Sequence, residues 1–257
     1  MGVFQNNLLA GAAAAASAGG GGFYSHQIEQ SARFDPEDNS NLTFTPSSAG
    51  NRQVWTFSAW IKKATNDDSN GRETHFILNT GSSGNQDSRL RAYFYQDKVY
   101  TSSAEYNFNQ GTKLYRDVSS WYHFVWKLTG GTSYTYINGT QDTSYSVSGN
   151  VAINNNVKHT LGAQDTPSTS NSMEGYMAEV VFIDGTAYNP TTFAEEKNGV
   201  WIPKDFSSSV TFGSNGWYLK FENASDLGND SSGNNNDWTA NNMGTDHQVL
   251  DSPTFGS

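Results

Sequence analysis

Apolar and polar residues alternate over short stretches along most of the chain. In residues 53–63, QVWTFSAWIKK, one face of the alternation carries Trp55, Phe57, Ala59 and Ile61, and the other carries Val54, Thr56, Ser58 and Trp60. A β-strand sends successive side chains to opposite faces of its sheet. Because both faces here carry apolar residues, the pattern predicts a strand well inside a sheet.

Turn signals separate the predicted strands. Gly130-Gly131 lies between WYHFVWKL and SYTYING, and Asn138-Gly139 follows directly, so each pair predicts a hairpin. Strands do not alternate with helices, which excludes a parallel sheet. Many short strands joined by turns are typical of an antiparallel β-sandwich.

A single helix is predicted near residues 191–197. The segment NPTTFAEEKNG offers Asn189 as a cap, Pro190 for the first turn and Gly199 as the end. The expected fold is therefore all-β with one short helix. We assign residues 23–250 to the sandwich and residues 251–257 to a C-terminal tail.

Residues 1–22 differ in composition from the rest of the chain. They are small and apolar and end in Gly19 to Gly22. The alanine run resembles the apolar part of a signal peptide, but no Lys or Arg precedes it, and the segment is too short and too weakly apolar to span a membrane. Two interpretations of residues 1–22 remain. The segment is either a docking arm followed by a flexible linker or a disordered terminus. The anchors of such an arm would be Val3, Phe4, Leu8, Leu9, Ala12, Ala13, Ala14, Ala15 and Ala16.

Composition narrows the function classes. The net charge of −10 argues against a nucleic-acid partner, which would require clustered Lys and Arg. The absence of cysteine excludes a disulfide framework, a thiol nucleophile and zinc sites that use Cys. Aromatic residues make up 14% of a chain whose hydrophobic fraction is only 35%. This combination suggests a thin core between two sheets, built on aromatic area.

Four segments resemble the laminin-G-like, concanavalin A-like lectin/glucanase domains: WTFSAWIKK, WYHFVWKLTGGTSYTYINGT, MEGYMAEVVFIDGTAYNPTTFAEE and YLKFENASDLGNDSSGNNNDW. The most specific match is a Trp and a His that open one strand and a Tyr-x-Asn-Gly that closes the next, namely Trp121, His123, Tyr136, Asn138 and Gly139. The resemblance implies a concanavalin A-like jelly roll over residues 28–245 and says little about the ligand.

The opening MGVFQNN and the segment SARFDPEDNSNLTFTPSSAGNRQVWTFSAWIKK are also similar to proteins of marine bacteriophages. This resemblance implies location in the virion, as a head fibre, decoration protein or tail adhesin. Such a protein would dock on other virion proteins through its arm, form a homo-oligomer and present its sandwich to host-surface glycans. A secreted carbohydrate-binding lectin of a cell is the alternative, and a glycoside hydrolase is a distant one.

Catalytic residues are not recognisable in the sequence. A retaining glycosidase places two carboxylates ~5 Å apart, whereas Glu174, Glu179 and Asp184 are spaced so that Glu179 faces opposite to the other two in a regular strand. The five histidines lack the spacing of a helical zinc site. His123 lies in an aromatic strand, where a packed, hydrogen-bonded histidine is expected. We therefore expect no enzymatic activity.

Calcium is the one cofactor that the sequence leaves open. The segment DLGNDSSGNNND is rich in oxygen ligands, and Asp226, Asp230 and Asp237 could contribute carboxylates. Laminin-G-like relatives often bind calcium, which supports a calcium site here. The alternative interpretation of the segment is a polar loop with Asx turns. Trp238 and Tyr145 are candidates for stacking on a sugar, although no sugar site can be assigned from the sequence.

Overall fold

The computed structural model describes residues 22–66, 74–81, 89–104, 107–165, 167–168 and 171–254. The proposed arm, with its anchors between Val3 and Ala16, lies outside the described residues, as do residues 255–257 of the tail. Within the described residues the strands are β1 (Ser31–Phe34), β2 (Asn41–Phe44), β3 (Trp55–Lys63), β4 (Thr74–Thr80), β5 (Leu90–Tyr95), β6 (Lys98–Ala104), β7 (Asn107–Gln110), β8 (Tyr122–Thr129), β9 (Thr132–Ile137), β10 (Thr140–Ser146), β11 (His159–Leu161), β12 (Gly175–Asp184), β13 (Ala194–Lys197), β14 (Val200–Pro203), β15 (Trp217–Leu219), β16 (Thr239–Asn241) and β17 (Gln248–Val249).

Two antiparallel sheets pack face to face. The first sheet has the strand order β10-β9-β8-β3-β12-β1-β17, and β15 also pairs with β12. The second sheet has the order β16-β2-β11-β4-β5-β6-β7, and β13 with β14 forms a separate hairpin. The prediction of an all-β antiparallel jelly-roll sandwich is confirmed.

The main core lies between the two sheets and is largely aromatic. Trp55, Phe57 and Ile61 of β3 project into it from the first sheet, and Leu78 and Phe94 project from the second. The Trp55 and Trp126 rings meet edge to face with centroids 5.1 Å apart. Burying one such side chain contributes roughly 1.5–3 kcal/mol, so a few large rings supply what a low hydrophobic fraction cannot.

The other side of the first sheet is buried as well. A layer that we call the outer layer covers it, and its residues Ile28, Phe193, Ala194, Trp201 and Phe206 pack on β3, β8 and β12. The strand β3 therefore carries apolar residues on both faces because both sides of its sheet are buried there, as its sequence pattern predicts. Strand patterns with apolar neighbours predict burial of at least two of Trp60, Trp121 and Trp126; Trp60 and Trp126 are 4% and 0% exposed, whereas Trp121 is partly exposed.

The predicted hairpins are present, and the helix is shorter than predicted. Both residues of Gly130-Gly131 and of Asn138-Gly139 have positive φ, as a two-residue hairpin turn requires. The helix is a single 3-10 turn, Pro190–Thr192, and the prediction of helix to residue 197 is wrong, because Ala194–Lys197 forms β13.

The error at β13 has a physical cause. The Asn189 side chain does not cap a helix; its Oδ1 accepts a hydrogen bond from Lys127 Nζ at 2.6 Å. Asn198 and Gly199 have φ values of 53° and 81° and form the two-residue turn between β13 and β14. The Asn-Gly pair is thus a hairpin signal and not a helix end.

Candidate functional site

The solvent side of the second sheet carries a group of aromatic side chains. Along β5, Leu90, Ala92 and Phe94 are fully buried in the core, while the residues between them point the other way and are half-buried. Cross-strand pairing places rings of neighbouring strands beside those of β5, because directly paired residues share a face. We call this surface the aromatic face; it comprises Phe76, Tyr93, Tyr95, Tyr100 and Phe108.

The rings of the aromatic face form one contiguous surface. Tyr93 and Tyr100 stack with centroids 5.4 Å apart and planes 7° apart. Phe76 lies 5.2 Å from Tyr93 on one side, and Tyr95 lies 5.6 Å from Tyr100 on the other. Phe108 meets Tyr93 edge-on at 6.2 Å and remains 40% exposed. These rings therefore line the surface of a sheet rather than the interior of the sandwich.

Polar groups border the aromatic face. A depression of about 200 Å³ is lined by Phe76, Tyr93 and Tyr95 together with Arg91, Gln164 and Asn171. The Gln164 backbone N–H donates to the Asn171 carbonyl at 2.9 Å, which holds the two amide-bearing residues side by side. The Arg91 guanidinium lies 4.5 Å from the centroid of the Phe108 ring. The depression thus combines apolar ring surface with amide, guanidinium and phenol groups.

The Tyr93 and Tyr100 phenols of the aromatic face stay protonated at physiological pH. Burial raises the pKa of Tyr93 to about 12; Arg91 acts in the opposite direction, and Tyr100 and Tyr95 raise it further. Burial also raises the pKa of Tyr100. Each hydroxyl can therefore both donate and accept a hydrogen bond.

Comparison with known proteins places this fold in a family. The laminin-G-type family described as "Concanavalin A-like lectin/glucanases superfamily" matches residues 36–191, more than half of the chain. The chain belongs to this superfamily. No curated protein sequence matches the chain.

Two solved structures are similar to this concanavalin A-like chain. A proposed carbohydrate-binding protein from Bacteroides ovatus ATCC 8483 has a TM-score of 0.59 at 15% identity, and the match covers 84% of this chain and 59% of that one. The chain thus spans less than two thirds of that protein. A native heptameric SAP-like pentraxin from Limulus polyphemus has a TM-score of 0.48 at 17% identity, with 65% and 81% covered. At 15% identity the likeness to the Bacteroides ovatus protein shows the fold alone.

The three carboxylates in and directly before β12 serve separate structural networks. Glu179 lies at a bulge with φ 49° and accepts a hydrogen bond from the Tyr218 hydroxyl; its Oε2 is 3.5 Å from His26 Nε2. Asp184 Oδ1 instead accepts from the Asn51 backbone N–H at 2.8 Å. Glu174 Oε2 accepts from the Thr65 hydroxyl at 3.1 Å. The structure therefore does not bring these three carboxylates together as an acid and nucleophile pair.

His123 is a packed, hydrogen-bonded histidine, as predicted. Trp201 Nε1–H donates to His123 Nδ1 at 3.0 Å, so the other ring nitrogen carries the proton and donates to Ser58 Oγ at 2.8 Å. The Trp60 ring stacks on it with centroids 4.8 Å apart. Complete burial lowers the pKa of His123 to about 3. The imidazole joins the first sheet to the outer layer and is closed to solvent.

The three aspartates proposed as calcium ligands organise their own loop. Asp230 accepts from the backbone N–H groups of Tyr218 and Ser232 and from the Ser232 hydroxyl, at 2.8, 2.9 and 2.8 Å. Asp237 Oδ1 accepts from the Asp230 N–H at 2.8 Å, and Asp226 Oδ1 accepts from the N–H two residues on, at 3.2 Å. These hydrogen bonds use part of the acceptor capacity of the three carboxylates. Calcium binding stays a prediction, to be tested by calcium titration.

The described part of the chain contains no group of three or more His, Cys, Asp or Glu side chains that could hold a metal ion. It also contains no helix with the length and apolar character needed to cross a membrane.

The two residues that the sequence suggests for stacking on a sugar, Trp238 and Tyr145, do not belong to the aromatic face. Trp238 is 2% exposed and packs against Trp217 at 4.7 Å inside the core, so it cannot stack on a ligand. Tyr145 lies half-buried on the edge strand β10, away from the aromatic face. The sequence signal for the aromatic face is the alternation LRAYFY in β5. It places Arg91, Tyr93 and Tyr95 together on the side of the strand opposite to the core.

Proposed function

We propose that the chain is a non-enzymatic carbohydrate-binding module and that its ligand lies on the aromatic face of the second sheet. The observation that carries this proposal is the contiguous group of five aromatic rings on the outer side of the second sheet, of which Phe76 is 3% exposed and the other four are more accessible. Fold similarity to a proposed carbohydrate-binding protein supports the proposal without identifying a ligand.

The chemistry of the aromatic face suits a saccharide. A sugar ring has apolar C–H surfaces that pack on aromatic rings, and hydroxyls at its rim that require polar partners. The depression beside Tyr93 and Tyr95 offers both, with the amides of Gln164 and Asn171 at its border. Binding sites for small molecules commonly combine apolar and aromatic walls with a few placed polar groups.

Cross-strand packing alone is an incomplete account of these rings. Aromatic pairs across strands stabilise a sheet by roughly 0.2–1 kcal/mol each, and that gain does not require a nearby depression bordered by amides. The first sheet provides a partial contrast, because the outer layer covers outward rings such as Trp60 and Tyr218, whereas Tyr134 and Tyr136 remain half-buried. We propose a module without catalytic activity because Glu174, Glu179 and Asp184 accept hydrogen bonds in separate structural networks.

The test is affinity electrophoresis in gels that contain a soluble β-glucan, an arabinan or an alginate. We expect the parent chain to be retarded by at least one polysaccharide and the Tyr93→Ala and Tyr100→Ala variants to lose most of that retardation. The matched control is Tyr134→Ala, which removes one ring of the stacked Tyr134–Tyr136 pair on β9 of the first sheet. Equal retardation of all four proteins would overturn the assignment of the site.

The finer proposal is that this module is displayed on a phage particle through residues 1–22. Its support is the similarity of the opening segment to phage proteins and the composition of that segment, which is apolar and ends in a flexible glycine run. A short apolar segment of this kind gains little by forming a helix alone in water, so a partner surface would stabilise it. Multiple copies on a particle would convert weak saccharide binding into avidity.

Deletion of residues 2–18 tests the display proposal. We expect the truncated protein to fold and bind saccharide like the parent but fail to join particles. Incorporation at the parental copy number would contradict the proposal. A secreted cellular lectin is the alternative, and intact-mass measurement distinguishes the two, since a signal peptide would be cleaved whereas a docking arm would be retained.

A further inference from the structure

The hairpin formed by β5 and β6 carries three of the five rings of the aromatic face and has an unusual turn. Its two turn residues, Gln96 and Asp97, have φ values of 48° and 58°. Two-residue hairpins favour Gly or Asn-Gly at such positions, because other side chains meet steric strain at positive φ. The other hairpin turns of this kind here contain glycine, as in Asn138-Gly139 and Asn198-Gly199.

The Asp97 carboxylate makes two contacts that a glycine could not make, and the backbone carbonyl of the same residue makes a third contact that any residue could make. Its Oδ1 lies 2.9 Å from Lys63 Nζ, and its Oδ2 lies 3.2 Å from Arg116 Nε. Its backbone carbonyl accepts from the Tyr115 N–H at 2.7 Å. Lys63 belongs to β3 of the first sheet and its side chain is 0% exposed. The turn of the second sheet is therefore connected to the end of β3 in the first sheet by an ion pair whose ammonium is buried and whose carboxylate is 15% exposed.

We propose that the Lys63–Asp97 ion pair is a positioning device for the aromatic face. It fixes the tip of the β5–β6 hairpin relative to the first sheet and thereby sets the spacing of Tyr93, Tyr95 and Tyr100. This inference rests on the proposed saccharide function of that face. Lys63 and Asp97 do not line the depression themselves; they act through the hairpin.

The arrangement favours positioning over stability as the role of the pair. Burying two charges costs desolvation that their attraction only partly repays, and an apolar pair of similar volume is often as stable. An ion pair instead imposes direction, because the ammonium must meet the carboxylate. Lys63 Nζ also lies 5.7 Å from the centroid of the Phe94 ring, the core-facing neighbour of Tyr93 and Tyr95. Binding surfaces need such supporting contacts to hold their geometry.

The experiment compares two double variants that each neutralise an ion pair. Lys63→Met with Asp97→Asn removes the proposed device, leaves no unpaired buried charge and keeps a turn residue that tolerates positive φ. The control is Lys62→Met with Asp251→Asn, which removes the neighbouring 2.7 Å ion pair of the first sheet. Both are measured for affinity to the three polysaccharides, for near-ultraviolet circular dichroism of the tyrosines and for thermal stability.

For the Lys63/Asp97 double variant we expect a melting temperature close to that of the control and an altered circular dichroism signal of the tyrosines. We expect its affinity for the polysaccharide to fall about tenfold, which is equivalent to the loss of one good contact. The control should keep the parental affinity and signal. A parental signal and affinity in the Lys63/Asp97 double variant would overturn the proposal. If the parent binds none of the polysaccharides, the proposed function fails, and the tyrosine signal still decides whether the ion pair positions the rings.

Discussion

The two sheets of this sandwich both carry aromatic residues on the side that faces away from the core, and among the described residues the outer layer covers the middle of that side on the first sheet alone. On the first sheet, Trp60, His123 and Tyr218 lie under the outer layer and are at most 4% exposed. On the second sheet, Tyr93 and Tyr95 remain half-buried beside a depression.

This difference separates two uses of the same residue types. The Trp60, His123 and Tyr218 rings of the first sheet are locked between two layers, and they contribute to stability through buried area. Rings of the second sheet lie on a sheet that is already stabilised by its other face. They can therefore contact a ligand without being needed for folding. Substitutions on the two faces should have opposite effects on stability and binding.

The largest expected effect is on the covered face. Trp60→Ala removes a ring that stacks on His123 and packs under the outer layer. We expect the free energy of unfolding to fall by about 3–5 kcal/mol, the usual cost of truncating a buried tryptophan. Urea denaturation followed by fluorescence measures this. A loss below about 1 kcal/mol would show that the face is not sealed.

The next effect concerns the ion pair beneath the open face. Asp97→Asn alone leaves the buried ammonium of Lys63 without its carboxylate, and we expect a loss of about 3 kcal/mol. Burial acts to raise the pKa of Asp97, but Lys63 and Arg116 outweigh it and hold that pKa below its ordinary value of 3.8. The stabilisation should thus be complete above that value and be lost as the pH falls through the lower folded-state pKa. Parental stability of the single variant would argue against a buried charge pair.

A third effect comes from histidines inside the molecule. Burial lowers the pKa of His75, His123 and His159 to about 4, 3 and 4. Below about pH 6.5 the unfolded chain takes up protons that the folded chain does not bind. Stability should therefore fall as the pH drops from 7 to 5, by up to about 1.4 kcal/mol per pH unit for each histidine.

Saccharide affinity of the folded protein should stay constant over the same pH range, because the lining of the depression contains no histidine. Denaturation curves and affinity measurements at both pH values make the comparison. The raised pKa of His26 beside Glu179 acts against the trend in stability. Constant stability with a pH-dependent affinity would reverse the roles that we assign to the two regions.

The smallest expected effect is on the stability of the open face. Tyr93→Ala removes contacts with three neighbouring rings that contribute roughly 0.2–1 kcal/mol each, because the ring is not part of the core. Thermal unfolding should show a shift of a few degrees at most, with Tyr134→Ala as the control on the other sheet. A loss as large as that of Trp60→Ala would make Tyr93 a structural residue.

Much of the fold was predictable because its signals are local. The alternation in β3 and the Gly130-Gly131 pair each determine a strand or a turn without reference to distant residues. The β13–β14 hairpin was missed because Asn189 and Pro190 are helix-start residues, and the competing Asn198-Gly199 signal comes at the end of the same segment.

The candidate site was harder to predict because it depends on which face is covered. Tyr122 and Tyr93 both lie in strands rich in aromatic residues, yet Tyr122 is 8% exposed in the core and Tyr93 lies on the open side. The sequence reveals the alternation of each strand, but the layer that covers one sheet is formed by distant segments such as the β13–β14 hairpin. Only the assembled structure identifies the uncovered aromatic residues.

Hydroxyl-radical footprinting of the tyrosines, with and without a bound polysaccharide, tests the central claim most directly. The account predicts that the ligand protects Tyr93, Tyr95 and Tyr100 from oxidation and leaves the modification of Tyr134 and Tyr136 unchanged. Protection of Tyr134 and Tyr136, with Tyr93, Tyr95 and Tyr100 as reactive as in the free protein, would contradict it.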